Sequence, residues 1–259
     1  MDKKPQTNKT SWGPVADWYD TYLEVTPDSY QAMVIVPNLL RVLALKKNER
    51  VVDIACGQGY FTRLFAETGA APIGADISKE LIATAKKRSP KIDFNIAPAH
   101  HLSFAKDNSF DAAAIVLAIQ NIENVADVFS EVKRVLKPGG RFVLVMNHPA
   151  FRIPKRTSWG WDEATKTQYR RVDGYLSAAT IPIDMHPGKE KSAQTLSYHR
   201  SLQDFFKALA KSGFAVTRLE EWISHKKSEK GPKQKAEDAA RKEIPLFLML
   251  ECKRQMVDK

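Results

Sequence analysis

The stretch that decides the fold is residues 51–62, VVDIACGQGYFT. It begins with an apolar, β-branched run typical of a buried strand and then turns tightly at 57–59, Gly-Gln-Gly. Glycines in such a turn let the backbone pass close to a ligand, and a helix that follows offers unpaired N–H groups. Dinucleotide-binding folds have a third glycine three residues later, where this chain has Thr62. The segment therefore predicts a strand, a ligand-binding turn and a helix, without a tightly seated pyrophosphate.

Outward from this turn, predicted strands and helices alternate along the chain. Short apolar strands are expected at 50–55, 72–77, 91–97, 110–117 and 141–147. Helices are expected at 60–68, 79–88, 125–136 and 201–212, with two or three more at 15–45. Strands 214–222 and 245–253 follow, and the charged stretch 225–242 between them has no clear crossover helix. We therefore predict an α/β fold: a Rossmann-like, doubly wound sheet, mostly parallel, with an antiparallel last strand.

Length and composition indicate an ordinary globular protein. The 259 residues are 43% hydrophobic and 27% charged, which suits one α/β domain that carries a smaller cap. The longest apolar stretch, 112–119, is too short to cross a bilayer, and the first residues have no apolar core of a signal peptide. The two cysteines are isolated, without metal-ligand spacing, so we expect no metal site and a cytoplasmic location.

The formal net charge of +10 has several possible interpretations. It is compatible with nucleic acid, with an anionic substrate or with an acidic membrane surface. It is equally compatible with a diffuse basic surface that has no partner. Composition alone leaves these alternatives open.

Asp76 closes the second predicted strand, 17 residues after Gly59. An acid at this place can accept hydrogen bonds from two ribose hydroxyls of a bound nucleoside. The alternative is that it caps the helix that starts after Ser78. The glycine turn that precedes it favours the ribose assignment.

Five short motifs occur in a characteristic order. They are DIACGQG at 53–59, GADIS at 74–78, AHHLSF at 99–104, SFD at 109–111 and LKPGG at 136–140. In this order and spacing the chain resembles class I S-adenosylmethionine-dependent methyltransferases. It is most similar to the methyltransferase type 11-like subgroup, which includes quinone C-methyltransferases and many small-molecule enzymes. The resemblance implies S-adenosyl-L-methionine as cofactor and S-adenosyl-L-homocysteine as its product.

The resemblance also assigns roles around the first two strands. Asp53, Gly57 and Gly59 would line the methionine part of the cofactor. Asp76 would hold the ribose hydroxyls, and Ile77 would pack on the adenine.

Further cofactor contacts are implied at later strands and at the N-terminus. Ala99 would meet the adenine edge through its backbone, with His100 beside it. Leu117 would end the fourth strand near the cofactor's amino group. Residues 16–20, ADWYD, match the family's A-x-x-Y-D, which would place Tyr19 over the cofactor in a lid; plain helix packing is the alternative for Tyr19.

Three departures from the family pattern stand out. Ala55 takes the place of a usual glycine, which we expect to be tolerated because the methyl group is small. Pro98 takes the place of an acid that binds the adenine amino group, so that contact is lost or replaced. The pair Gln120-Asn121 is often His-His in relatives, which puts a substrate role there in doubt.

Residues 148–197 interrupt the alternation and are rich in aromatic and arginine residues. We expect little regular structure and a substrate-cap insertion, because aromatic rings supply an apolar wall and arginine recognises carboxylate or phosphate. Anchoring of the insertion onto the sheet is the alternative role for its tryptophans. The predicted substrate-binding residues are Arg152, Trp159, Tyr169, Arg170 and Arg171. The domain prediction is an N-terminal helical lid at 1–46 and a cofactor-binding domain at 47–259 that carries this insertion.

Two histidines are candidates for a general base, because the unperturbed pKa of histidine lies near neutral pH. His148 directly follows the fifth strand, and His186 lies within the insertion. The alternative is structural: His148 would bind the backbone of its loop, and His186 would fix a turn.

The predicted function is methyl transfer to O, N or C of a small, aromatic or anionic molecule. A nucleic-acid (RNA) methyltransferase is the first alternative. DNA methyltransferases that act on amino groups resemble one another in an Asn/Asp-Pro-Pro-aromatic motif after the fourth strand, where residues 117–121 of this chain read LAIQN. The sequence also has no Pro-Cys pair of the kind that attacks a cytosine ring. A catalytically silent binding module on the same fold is the second alternative. Thr62 disfavours an oxidoreductase. We expect a small-molecule substrate, no nucleic-acid partner and no membrane span; the sequence specifies no oligomeric state.

Overall fold

A seven-stranded sheet forms the centre of the computed structural model, which describes residues 26–184 and 194–255. Its strands are β1 (Arg50–Ile54), β2 (Ala71–Asp76), β3 (Asp93–Ile96), β4 (Phe110–Val116), β5 (Leu136–Asn147), β10 (Phe214–Trp222) and β11 (Phe247–Arg254). The strand order is β10-β11-β5-β4-β1-β2-β3. Strands β1 to β5 pair in parallel, whereas β11 is antiparallel to both β5 and β10. The predicted mostly parallel sheet with an antiparallel last strand is confirmed.

Helices connect these strands and pack on the sheet. They are α1 (Val36–Leu43, preceded by a π-helical turn at Gln31–Ile35), α2 (Tyr60–Glu67), α3 (Lys79–Arg88), α4 (Val125–Val135), α5 (Leu202–Lys211) and α6 (Gln234–Glu243). Ser78, Asn124 and Ser201 cap α3, α4 and α5 with side-chain oxygens, so each of these helices starts where the sequence supplies a cap. Within the described residues, no helix has the length and apolar character needed to cross a membrane.

The central strands are buried on both faces, as their sequences require. In β4, FDAAAIV, three consecutive alanines have no exposed surface, which lets helices approach the sheet closely from both sides. One apolar cluster, containing Phe129, Phe142 and Leu250, fills one face. A second cluster, containing Leu39, Phe65 and Val145, fills the other.

Helix α1 belongs to this second cluster. Leu39 and Leu43 have no exposed surface, and Arg141 ties the end of the helix to the sheet by donating to the Leu43 carbonyl at 2.8 Å. This part of the predicted 1–46 lid is therefore a core helix. Residues 1–25, the remainder of the predicted lid, lie outside the described residues.

The expectation of little regular structure at 148–197 is wrong. Two antiparallel hairpins occupy this region: β6 (Thr157–Asp162) with β7 (Thr167–Val172), and β8 (Ala179–Asp184) with β9 (Gln194–His199). Their strands are six residues long, and only Ile181, Thr195, Ser197 and His199 in them are buried, so the alternation of apolar and polar residues is too weak to reveal them.

The charged stretch 225–242 also contains structure that the sequence did not reveal. Helix α6 packs against β7, although Ala240 is its one buried residue among those described. The apolar residues of this helix are all alanines, which are small and weakly hydrophobic, so the segment resembles a solvated charged stretch.

Candidate functional site

The glycine turn after β1 is built from left-handed backbone. Ala55, Gly57 and Gly59 have φ angles of 57°, 57° and 79°. A Cβ added to Gly57 would meet nothing within 4 Å, whereas one added to Gly59 would lie 2.7 Å from the Phe94 ring. Gly57 therefore faces open space where a ligand can pass. A side chain at position 59 would enter the packed interior, which restricts this position to glycine.

Ala55 occupies a conformation that glycine adopts more readily. A non-glycine residue in left-handed backbone costs about 1–2 kcal/mol, because Cβ crowds the following carbonyl oxygen. This explains why a glycine is usual at this position in the family. Ala55 adopts this conformation here and retains the backbone strain.

Asp76 stabilises the same turn by hydrogen bonds. Its Oδ2 accepts the Gly57 N–H at 2.9 Å, and its Oδ1 accepts the Ser78 N–H at 2.8 Å. The cap of α3 is Ser78, whose Oγ accepts the Leu81 N–H, so the alternative role of Asp76 as the side-chain cap is not observed. Each carboxylate oxygen keeps a lone pair for a further donor, as contact with two hydroxyls would require.

Asp53 lies beside Asp76 and is fully buried at the end of β1. Its Oδ2 accepts the Thr62 hydroxyl at 2.6 Å. Burial raises the pKa of Asp53 to about 7; the Thr62 hydrogen bond opposes this shift, and the charge of Asp76 adds to it. Burial likewise raises the pKa of Asp76, against the N–H groups of Ser78 and Gly57.

Neither carboxylate forms an ion pair with a residue in the ranges that the structure describes. Buried carboxylates without a counter-ion favour a ligand that brings positive charge. The sulfonium and ammonium groups of S-adenosylmethionine supply such charge, so Asp53, Asp76 and the open face of Gly57 fit this cofactor.

The other predicted cofactor residues follow the ends of neighbouring strands. Ile77, directly after β2, is 37% exposed, and the loop after β3 carries half-buried Ala99 and exposed His100. Leu117, directly after β4, has a φ of 55° and donates its N–H to the Val145 carbonyl at 2.8 Å. The structure thus brings these residues to the carboxyl edge of the parallel strands, where open α/β sheets bind ligands. Tyr19 lies outside the described residues.

The loop that carries Ala99 and His100 is held by a buried carboxylate. Glu131 on α4 accepts the Leu102 N–H at 2.6 Å, and Arg134 binds both Glu131 and the Leu102 carbonyl. The Arg134 guanidinium holds the pKa of Glu131 below its usual range. Pro98 begins this loop, and its carbonyl accepts the His101 N–H at 2.9 Å.

Two glutamines near the site were not predicted from the sequence. Gln120 donates Nε2 to the Leu117 carbonyl at 2.6 Å, while its Oε1 is buried without a partner among the described residues. Gln58, in the glycine turn, has a buried Nε2 in the same state. Buried polar atoms without partners are rare and mark places where a ligand or water binds. No pattern in the sequence distinguishes these glutamines from others.

The hydrogen bonds of His148 favour the structural alternative over the proposed base role. The residue is 5% exposed; its Nδ1 accepts the N–H groups of Ala150 and Phe151, which places the ring proton on Nε2, where it is donated to Glu221 at 2.8 Å. Burial lowers the pKa of His148, with Glu221 opposing the shift. Both nitrogens are thus in use, and His148 fixes the loop after β5. His186, the other candidate, lies outside the described residues.

Hairpin β6–β7 separates the five predicted substrate residues into two groups. Successive side chains of a strand point to opposite faces, so Arg170 lies on one face of β7 and Tyr169 and Arg171 on the other. Tyr169 is 49% exposed, and Arg171 pairs with Asp173 at 2.9 Å. Tyr169 and Arg171 therefore lie on the face of the hairpin opposite to Arg170.

Arg152, Trp159 and Arg170 do come together. They line a cavity of about 440 Å³ between the hairpin and the residues that precede β11. Arg170 lies over the ring of its cross-strand partner Trp159, 5.0 Å from the centroid. The remaining lining residues are Asn147, Phe151, Ile153, Pro154, Lys155, Thr157, Ile244, Pro245 and Leu246.

The second hairpin lies at the same edge of the sheet. The Asn121 side chain donates to the Leu196 carbonyl at 3.2 Å, and Arg200 donates to the Ile122 carbonyl at 3.1 Å. Hairpin β8–β9 is therefore docked on the turn Ile119–Asn121, which follows β4. Hairpin β6–β7 thus adjoins the end of β5 and the residues before β11, and hairpin β8–β9 adjoins the turn after β4.

Comparison with known proteins agrees with this architecture. Residues 52–144 match the family model described as a methyltransferase domain. The chain is 33% identical over 152 residues to a demethylmenaquinone methyltransferase of Paenarthrobacter aurescens, and 26% identical over 203 residues to one of Chlorobaculum parvum. These matches cover 58% and 78% of the chain, and 58% and 80% of the respective relatives. The chain thus spans under two thirds of the length of the first relative.

A solved structure is similar over most of its length. It is an S-adenosylmethionine-dependent methyltransferase from Mesorhizobium loti, with a TM-score of 0.68 and 29% identity. The match covers 87% of this chain and 98% of that one. The similarity therefore includes the elements beyond residues 52–144.

Proposed function

We propose, for a chain whose central domain belongs to the class I S-adenosylmethionine-dependent methyltransferases of the type 11 subgroup, that it transfers a methyl group to O, N or C of a small aromatic or anionic molecule. The cofactor S-adenosylmethionine supplies an electrophilic methyl group on sulfur. The protein's own contribution would be to bind and orient the cofactor and the acceptor and to exclude water.

The observation that carries this proposal is the pair of buried carboxylates at the ends of β1 and β2. Asp53 would face the charged methionine part of the cofactor, and Asp76 would accept its ribose hydroxyls. The left-handed turn at Gly57 leaves the space that such a ligand needs. Ile77, Ala99, His100 and Leu117 would complete the cofactor site.

The acceptor would bind under the two hairpins. We propose that residues 148–197 form a cap over the carboxyl edge, joined by an N-terminal lid that contains Tyr19. The relatives named demethylmenaquinone methyltransferases favour a small aromatic acceptor. Because His148 has no free nitrogen, the mechanism relies on positioning and on an acceptor that needs no base from this residue.

Calorimetry with the full chain tests the cofactor assignment. S-adenosylmethionine and S-adenosylhomocysteine are expected to bind, and NAD is not. Asp76→Ala should weaken this binding by about 1.5–3 kcal/mol, roughly tenfold to a hundredfold, because hydrogen bonds to a charged group are lost. Asp162→Ala, at the exposed end of hairpin β6–β7, is the matched control and should leave binding unchanged.

Two results would overturn the proposal. Undiminished binding by Asp76→Ala would remove the ribose assignment. A sub-micromolar complex with duplex DNA or structured RNA, weakening steeply with salt, would instead favour a nucleic-acid methyltransferase, because phosphate contacts release counterions.

A further inference from the structure

The cavity under hairpin β6–β7 is lined by positively charged residues. Its lining includes Arg152, Lys155 and Arg170, and no lining residue within 26–184 or 194–255 is an aspartate or glutamate. Like charges repel, so a protein places arginines side by side mainly where an anion joins them. Arg41, Arg134 and Arg141, in contrast, each contact a carboxylate.

Arg170 is held in a fixed orientation before any ligand binds. Its Nε donates to the Phe151 carbonyl at 3.0 Å, and its Nη2 donates to Thr157 Oγ1 at 2.7 Å. Its guanidinium plane lies over Trp159. These contacts leave Nη1 without a partner among the described residues. A guanidinium fixed in this way loses little side-chain entropy when it binds an anion.

Arg152 is the second cation of the cavity. Its guanidinium carbon lies 6.0 Å from the centroid of the Phe247 ring, and its side chain forms no hydrogen bond or ion pair with any residue in 26–184 or 194–255. Burial lowers the pKa of Arg152, and burial together with the charge of Arg152 lowers that of Arg170. Arg152 is nevertheless exposed to solvent and Arg170 is half-buried, and neither has a counter-ion among the described residues.

The remaining walls of the cavity are apolar. Trp159 and Phe151 supply aromatic surface, and Ile153 and Leu246 supply aliphatic surface. Pockets of this composition bind a flat hydrophobic body and use a few polar groups to orient it. A ligand with an aromatic ring and an acidic group fits both parts of the lining.

The cavity lies on the same sheet edge as the cofactor residues. Asn147 ends β5, and Leu246 directly precedes β11; β5 alone separates β11 from β4, at whose end Leu117 lies. Two interstrand spacings amount to about 10 Å. An aromatic molecule with its acidic group in the cavity can therefore reach the end of β4 with the other end of its ring system.

We propose that this cavity is an anion subsite, in which Arg152 and Arg170 bind the carboxylate of an aromatic acid whose far end accepts the methyl group. The identification of the ligand as the acceptor rests on the proposed methyltransferase function. The binding site itself rests on the cavity and its two arginines. The acceptor class is thus narrowed from small molecules in general to aromatic acids about 10 Å long.

The probe is 2-naphthoate, measured by calorimetry with the full chain in saturating S-adenosylhomocysteine, and 2-naphthamide is its neutral control. Naphthoate should bind at least about tenfold more tightly than the amide. Arg152→Gln and Arg170→Gln should each weaken naphthoate binding about tenfold or more, with little effect on the amide. Arg170→Lys should also weaken it, because the planar fork is lost.

Arg171→Gln is the matched control, since Arg171 is the next residue on the same strand but faces away and pairs with Asp173. It should leave naphthoate binding within about twofold of wild type. If Arg170→Gln perturbs the hairpin, Arg152→Gln decides, because the Arg152 side chain makes no hydrogen bond to a described residue. Equal binding of naphthoate and naphthamide, or unchanged binding in Arg152→Gln, would overturn the subsite.

Three further outcomes separate the parts of the proposal. If inorganic phosphate binds as tightly as naphthoate and shows the same dependence on Arg152, the aromatic part of the proposal is overturned. If naphthoate binds in an arginine-dependent way while S-adenosylhomocysteine fails to bind, the subsite stands and the methyltransferase function fails. If S-adenosylhomocysteine binds while naphthoate binding does not depend on the arginines, the subsite fails and the methyltransferase function stands.

Discussion

Two regions at one edge of the sheet carry opposite, unbalanced charges. At the ends of β1 and β2, Asp53 and Asp76 are buried without a cation among the described residues. Under hairpin β6–β7, Arg152 and Arg170 face a cavity lined by no acid. The first region suits the positive part of a cofactor, and the second suits an anionic acceptor. Under the proposed function, each partner would be selected by the charge that the described residues leave uncompensated.

The two regions also differ in how they are built. Asp53 and Asp76 lie at the ends of two core strands, and the glycine turn that follows the first strand packs on Phe94. The core therefore holds both carboxylates in place. The arginines lie on a loop and a two-stranded hairpin outside the main sheet, with lining residues drawn from 147–170 and 244–246. We therefore expect the carboxylate region to be rigid, and we expect substitutions in the arginine region to cost less stability.

The largest expected effect tests this difference in rigidity with one substitution in each region. Gly59→Ala should lower the free energy of unfolding by about 2–4 kcal/mol, because it adds left-handed strain and places Cβ 2.7 Å from Phe94. Gly160→Ala should cost less than about 1 kcal/mol, since the contacting Tyr169 ring is exposed and can rotate away. Urea unfolding measures both. Equal losses would remove the distinction between the regions.

His148 joins the arginine region to the sheet. His148→Ala should lower the free energy of unfolding by about 1–3 kcal/mol, because the N–H groups of Ala150 and Phe151 lose their acceptor. Since burial holds the pKa of His148 below 6.5, its stabilising effect is present above pH 6.5 and lost as the pH falls through the depressed value.

The measurement is unfolding of wild type and variant from pH 5 to 8, where the difference should shrink toward low pH. Once an acceptor is known, kcat of His148→Ala should stay within about threefold of wild type. A hundredfold loss of kcat in a stable variant would restore the base role.

The carboxylate region should make cofactor affinity depend on pH. Because the pKa of Asp53 is raised to about 7, the carboxylate is mostly neutral at pH 6 and mostly ionised at pH 8. Affinity for S-adenosylmethionine should therefore rise about tenfold over this range, relative to Asp53→Asn, in which the position stays neutral. Comparing the two proteins by calorimetry cancels the titration of the cofactor itself. Parallel pH profiles would contradict the charge argument.

The raised pKa has a matching effect on stability. A group that binds its proton more tightly when folded makes the unbound protein less stable as the pH rises from about 4 to 7. Asp53→Asn should therefore be more stable than wild type at pH 8 without cofactor. Thr62 keeps an acceptor in the asparagine oxygen.

The smallest expected effect concerns strain in the glycine turn. Ala55→Gly should raise the free energy of unfolding by about 0.5–1 kcal/mol, because relief of left-handed strain exceeds the added entropy of the unfolded chain. Ala118→Gly, at a position with a φ of −114°, is the control and should destabilise. Thermal unfolding distinguishes the two signs. A loss of stability in Ala55→Gly would show that the methyl group makes a favourable contact.

The carboxylate region was largely predictable because its parts are local. The segment 51–62 contains the strand, the turn and the helix start, and Asp76 follows at a spacing set by one helix and one strand. Gly59 shows the limit of such prediction. Its motif suggests contact with the cofactor, but the need for glycine also comes from Phe94 of β3, which occupies the space where a Cβ would lie.

The arginine region was only partly predictable. Composition indicated aromatic and arginine residues near the acceptor, but it could not distinguish Arg170 from Arg171, because adjacent residues on a strand diverge only once strand pairing exists. The partner of His148 could not be predicted for a similar reason. Glu221 lies 73 residues away from His148 in the chain and reaches it because β10 and β5 both flank β11.

The sequence by itself determined the parallel sheet, its strand-ending turn and the acids that follow its first two strands, since hydrophobic periodicity and short glycine motifs act over neighbouring residues. The tertiary structure alone decided which charges remain unpaired. Pairing depends on residues that are distant in sequence and adjacent in space: it leaves Asp53 and Asp76 without a cation among the described residues, gives His148 its partner Glu221, and leaves Arg152 facing the cavity.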